Sequence, residues 1–156
     1  SAVLSLTVDA PSFLHLMAAN ALNAPAPLNF RGELVAGGGD FGDEIDLKKF
    51  GTRIFVDAAR IFALAAGARA VNTSARLHDA GLAAGLQAAD IAAVEAAFAE
   101  LLRLRLGHQL ARGMTAGEEG TGVRLGSLNE FDRAILRESL KQARRLQQRL
   151  KLNYAL

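Results

Sequence analysis

The 156-residue chain contains no cysteine and no tryptophan, and only three prolines, two methionines and one tyrosine. Without cysteine there is no disulfide framework, no thiol nucleophile and no thiolate for a metal. Three scattered histidines, His15, His78 and His108, are left for imidazole chemistry, and no metal site is expected from them. Net charge is small as well. Eighteen Lys and Arg against 16 Asp and Glu give a formal +2, too small a surplus to imply a polyanionic partner by itself. No apolar run reaches membrane-spanning length and no basic leader precedes an apolar stretch at the start, so the expectation is a cytoplasmic protein with no membrane partner.

What is present favours helices. Half of the residues are hydrophobic, enough for one domain over 1–156 with a sizeable core, and alanine, leucine and arginine are frequent. "VLSLTV", 3–8, predicts a short strand. Pro11 and Ser12 then open a helix with Phe13, Leu16, Met17 and Leu22 at near-helical spacing, ended by Pro25 and Pro27. Between 28 and 49 a glycine cluster separates two short alternating stretches, Phe30 to Val35 and Ile45 to Leu47, which predicts a small β-hairpin. A second, central helix begins near Thr52 and stops at Gly67; Asn72 caps a third over Thr73 to Ala80; a fourth spans about Gln87 to Arg112, with Gly113 after it. The five glycines of 113–126 predict a mobile loop, after which Ser127 and Glu130 form the S-x-x-E signature of a last long helix. The fold class is therefore mainly α: a bundle of four to five helices with a small hairpin.

The stretch "LLRLRLGHQL", 101–110, alternates apolar and charged residues as a half-buried strand does, yet it lies inside the fourth helix. Projected at 100° per residue, Ile91, Val94, Phe98, Leu101 and Leu102 form one stripe with Arg105 in its middle and His108 at its edge, while Arg103 points away. A guanidinium among apolar neighbours is costly unless paired. Asp57 on the second helix is the candidate partner, although Arg53 and Arg60, four residues before and three after it, compete for its carboxylate. Two readings stay open: an ion pair that fixes helix register, or a polar pocket that receives a ligand or a partner's side chain.

Other motifs carry less. "GGGDFG", 37–42, matches a dinucleotide fingerprint in letters, but acidic residues follow it and repel phosphate. "NTS" at Asn72 reads as a helix start, and His78-Asp79 lacks the further ligands of a phosphohydrolase centre. Arg133, Arg137, Lys141, Arg144, Arg145 and Lys151 form a basic face on the last helix, opposite Leu136, Ala143, Leu146 and Leu150. A solvated bundle face is the stronger reading there; nucleic acid is disfavoured because no aromatic residues interleave for stacking.

The runs "EIDLKKFGTRIFVDAARIFALAAGARAVNTSARL" (44–77), "AFAELLRLRLGHQL" (97–110), "LNEFDRAILRESLKQARRLQQRL" (128–150) and "FLHLMAANAL" (13–22) together resemble the putative nucleotidyltransferase substrate-binding domain. That resemblance implies a non-catalytic substrate-binding or regulatory domain of bacterial signal-transduction proteins. It lies at their C-terminal end, behind a nucleotidyltransferase domain similar to protein-PII uridylyltransferase and often behind cyclic-nucleotide-binding and CBS domains. It further implies an adjacent nucleotidyltransferase domain as partner, with a protein or a nucleotide as substrate, in a longer multidomain protein.

No catalytic residue is assigned to this chain. Nucleotidyltransferases of that kind need a Gly-Ser turn followed by paired aspartates; Gly126-Ser127 has no such pair after it, and the acids of "DEID", 43–46, are spaced by three. Magnesium and a nucleoside triphosphate are expected only for the catalytic domain of the parent protein, and no cofactor for this chain. The pattern's polar positions here are Asp46, Lys48, Arg53, Asp57, Arg60, Asn72, Thr73, Arg76, Arg103, Arg105 and His108, with Gly107 where another polar residue is expected. Arg53, Asp57, Arg60, Arg105 and His108 rank first as substrate- or partner-binding residues, because cations converging between the second and fourth helices suit a phosphate or an acidic loop. The rival reading is a structural helical module for interdomain packing or homodimerisation, without a ligand of its own.

Overall fold

The computed structural model describes residues 2–37, 42–113 and 122–156, with side chains from residue 10 onward. The order is α1 (Ala2–Ala21), β1 (Glu44–Asp46), a π turn (Lys48–Thr52), α2 (Arg53–Ala66), α3 (Thr73–Ala80), α4 (Ala88–Ala111), β2 (Gly122–Arg124), a 3-10 turn (Leu125–Ser127) and α5 (Glu130–Tyr154). The fold class expected from the sequence is the one observed.

α2 is central because its apolar residues recur at three and four: Ile54, Phe55, Ala58, Ile61 and Phe62 are all buried. At its end Gly67 is left-handed at φ 67°, and the Gly67 and Ala68 N–H groups donate to Leu64 and Ala63 carbonyl oxygens at 3.3 and 2.9 Å, a double closure that glycine permits. α4 and α5 run antiparallel. Arg145 near the end of α5 meets Asp90 at the start of α4 at 2.8 Å, and Arg103 lies 3.7 Å from Asp132 at the other end. Phe55 of α2 packs on Phe98 of α4 with ring centroids 5.5 Å apart, and Leu101, Leu136, Leu140 and Leu146 complete the shared core.

Four local expectations are corrected. Residues 3–8 are helical, since α1 runs from Ala2 to Ala21 with Pro11 inside it; the alternation there has no partner strand among the described residues, and a strand needs a ladder to satisfy its backbone. Within α1, Ala18 is buried and Leu14 and Met17 half-buried, while Phe13 and Leu16 point outward. β1 forms inside the 28–49 segment, but it pairs antiparallel with β2, Ile45 opposite Val123, and not with Phe30 to Val35. The earlier stretch closes on itself through an isolated Leu28–Leu34 bridge and Asn29, whose side chain accepts from the Arg31 and Glu33 N–H groups. Finally, α5 is capped by Asn129, which accepts from the Asp132 N–H at 2.7 Å, and not by Ser127, whose hydroxyl donates to the Arg124 carbonyl oxygen. The 3-10 turn has already taken Ser127, so the helix starts two residues later. The mobile-loop expectation falls in part on 114–121 and the glycine motif on 38–41, both outside the described residues.

Candidate functional site

α4 settles the conflict in 101–110 in favour of helix. Its buried apolar side is Ile91, Val94, Ala97, Leu101 and Leu104, with Ala97 and Leu104 in the places the projection gave to Phe98 and Leu102, so Leu102 is exposed and Arg105 lies half-buried at the flank. The Arg105 Nη1 donates to the Thr52 hydroxyl at 2.9 Å, and its Nε is shut off from solvent without a partner among the described residues. Thr52 is buried where the π turn enters α2. Its N–H and its hydroxyl both donate to the Leu47 carbonyl oxygen, at 2.9 and 3.5 Å. The turn itself is started by Asp46, whose carboxylate accepts from the Lys48 and Lys49 N–H groups at 3.0 and 3.1 Å. Sequence reasoning missed Thr52 as the anchor: a helix-start threonine is usually a local cap, and only the crossing of α4 over the turn makes it an acceptor for Arg105.

Asp57 does not pair with Arg105. Among the described residues no carboxylate lies within ion-pairing distance of that guanidinium. Asp57 is half-buried, and burial pushes its carboxyl above the ordinary aspartate value, with Arg60 and Arg53 pulling it part of the way back. The local rivals therefore win the electrostatics. The five ranked residues divide into an α2 set, Arg53, Asp57 and Arg60, and an α4 set, Arg105 and His108, joined only through Thr52, the neighbour of Arg53.

His108, one turn beyond Arg105, lines a cleft of about 210 Å³ between α4, β2 and the start of α5. Leu47, Leu104, Val123, Leu128 and Leu136 give it apolar walls, and Arg103, His108, Ser127 and Asp132 supply polar groups. The His108 Nε2 is buried and has no hydrogen-bond partner among the described residues. Gly107 also lines the cleft, and a Cβ placed there would meet nothing within 4 Å. Ser127, Leu128, Val123 and Asp132 were not legible as site residues, because the β1–β2 pairing that carries them to Leu47 joins segments nearly eighty positions apart.

The remaining motifs fold into structural roles. Asn72 accepts from the Ala75 N–H at 2.8 Å and caps α3, and Arg76 donates to the Ala70 carbonyl oxygen. Thr73 is half-buried in the first turn of α3, and Lys48 is exposed. His15, His78 and Asp79 are exposed, and among the described residues no group of three or more His, Asp or Glu is placed to hold a metal ion. After Gly42 the chain enters strand β1, so no helix N-terminus follows the glycine motif to receive a phosphate. The basic side of α5 is largely engaged within the fold: Arg144 donates to the Asn29 carbonyl oxygen, Arg145 binds Asp90, Arg149 donates to Gly85, and Arg133 donates to Leu125. No helix among the described residues is long and apolar enough to cross a membrane.

Compared with known proteins, residues 11–154 match the model of one family, described as putative nucleotidyltransferase substrate binding domain. No curated protein and no solved structure matches the chain.

Proposed function

The chain belongs to the putative nucleotidyltransferase substrate binding domain family, and on that premise we propose that it is a non-catalytic substrate-binding or regulatory domain of a nucleotidyltransferase-type signalling protein. In this reading Arg105 and His108 receive an anionic group of the substrate, and Arg53, Asp57 and Arg60 flank the approach on α2. Magnesium and a nucleoside triphosphate belong to the adjacent catalytic domain, and the work is cytoplasmic.

The observation that carries the reading is the half-buried Arg105 guanidinium, held by one neutral hydroxyl and by no carboxylate among the described residues. A structural arginine at such a position is normally matched with a carboxylate or several carbonyl oxygens, since an under-bonded cation is expensive. An arriving phosphate or carboxylate would pair with the guanidinium through the remaining Nη2, a charge-assisted hydrogen bond worth about 1.5–3 kcal/mol. The neighbouring cleft, with its apolar walls and the unpartnered His108 nitrogen, can take the less polar part of the same molecule.

Thermal melting of the chain titrated with nucleoside triphosphates and magnesium, and in parallel with an acidic peptide, tests this. Saturation at a hundredfold excess over Kd stabilises a folded protein by about 2.7 kcal/mol, a clear upward shift in Tm. A melting temperature indifferent to every anionic probe would contradict the reading.

A further inference from the structure

Helix α4 is apolar on the side that faces away from the core as well as on the side that packs into it. Along the outward side stand Ala88, Ala92, Ala96 and Ala99 in the first half, then Leu102, Leu106 and Leu110, which are 41, 52 and 65 % exposed. Their spacing of three and four makes one continuous stripe. Bundle helices ordinarily put charge there, and three leucines in register on one exposed face mark a contact surface.

The stripe is graded, small residues first and large ones second, and this grading identifies what fits it. We infer that α4 is the interface of a two-fold symmetric dimer of this chain, with the second copy's α4 laid antiparallel and the axis passing beside Ala99. That arrangement sets Leu102 level with Ala96 of the other copy, Leu106 with Ala92 and Leu110 with Ala88, so each large side chain meets a small one along the whole seam. A parallel copy would stack leucine on leucine at one end and alanine on alanine at the other, leaving the first overfilled and the second gapped. An isologous interface must be complementary to itself, and a face graded about its own midpoint satisfies that condition only in the antiparallel sense.

Two charged residues interrupt the stripe, Glu95 in the small half and Arg103 in the large half. Arg103 is held within the chain by Glu100 at 2.9 Å and Asp132 at 3.7 Å, and the antiparallel copy sets Glu95 level with this cation, with the two helix dipoles opposed. Arg105 and His108 lie off this stripe, while Arg103, which lines the cleft, stands on it, so the interface borders the site described above without covering Arg105 or His108.

Sedimentation and light scattering of the full 156-residue chain across a wide concentration range test the inference, together with two variants. A species of twice the 16.5-kDa chain mass is expected, giving way to monomer on dilution. Leu106→Glu changes an exposed residue and should leave the circular dichroism melt intact while abolishing the dimer. Ala99→Cys, in a chain with no other cysteine, should cross-link to itself on mild oxidation, whereas Ala65→Cys on the exposed side of α2 should not. A monomer at every concentration, as expected if a neighbouring domain covers α4 instead, would overturn the inference. So would a dimer indifferent to Leu106→Glu.

Discussion

Asp57 is a carboxylate kept half out of water, and burial outweighs the help of Arg60 and Arg53 in setting its acidity. A carboxyl raised on folding favours the folded state while it is protonated; that contribution is fully present below the unfolded aspartate value and is lost as pH rises through the folded one. Asp57→Asn is therefore expected to raise Tm at neutral pH, and the gain should shrink to nothing as the melts are repeated at acidic pH. Two glycines have opposite expected responses to the same change. At Gly81 a Cβ would sit 2.5 Å from the Leu77 carbonyl oxygen and 2.7 Å from the Ile91 Cδ1, both inside the packed α3–α4 junction. Gly81→Ala should cost about 1–3 kcal/mol by denaturant unfolding. At Gly107, in open space on a helix, alanine should add up to about 1 kcal/mol through helix propensity alone.

Elements defined by neighbouring residues were readable from the sequence, and those defined by distant ones were not. α2 ends at Gly67, α3 begins after Asn72 and α4 ends just before Gly113, because caps and left-handed glycines act within a few positions. Asn72→Ala and Asn129→Ala should each cost about 1 kcal/mol, measured by chemical denaturation, as lost N-caps do. Residues 101–110 are helical for a similarly local reason, since some twenty residues of helical periodicity outweigh five of alternation. Three other features were decided elsewhere. β1 chose β2 over the nearer Phe30 to Val35 segment, α1 absorbed 3–8, and Ser127 was taken by a turn that packs only once β2 is in place. At the candidate site Arg105 and His108 were legible as polar residues in an apolar context, while Thr52 and the walls of the cleft depend on contacts that no local pattern encodes.

At the scale of the whole molecule α5 ties down the segment after α1 and the connection between α3 and α4. Gln147 is buried, accepts from the Ala26 N–H at 2.9 Å and donates to the Ala24 carbonyl oxygen at 2.9 Å, replacing the backbone partners that the proline-flanked segment after α1 cannot make for itself. Removing that amide strands a buried N–H, so Gln147→Ala should lower unfolding free energy by about 1–3 kcal/mol beyond the loss of packing. Arg105 is the opposite case, a polar group whose surroundings serve it poorly. If it is kept to meet an anion, stability and binding must separate at this residue. The direct measurement is Arg105→Met against the parent chain, with the melting temperature and the response to anionic probes recorded on the same samples. The expected result is a Tm equal to the parent's or higher, with the ligand-induced shift abolished. A variant that melts well below the parent and still responds to the probes as the parent does would show Arg105 to be a structural residue and contradict the account.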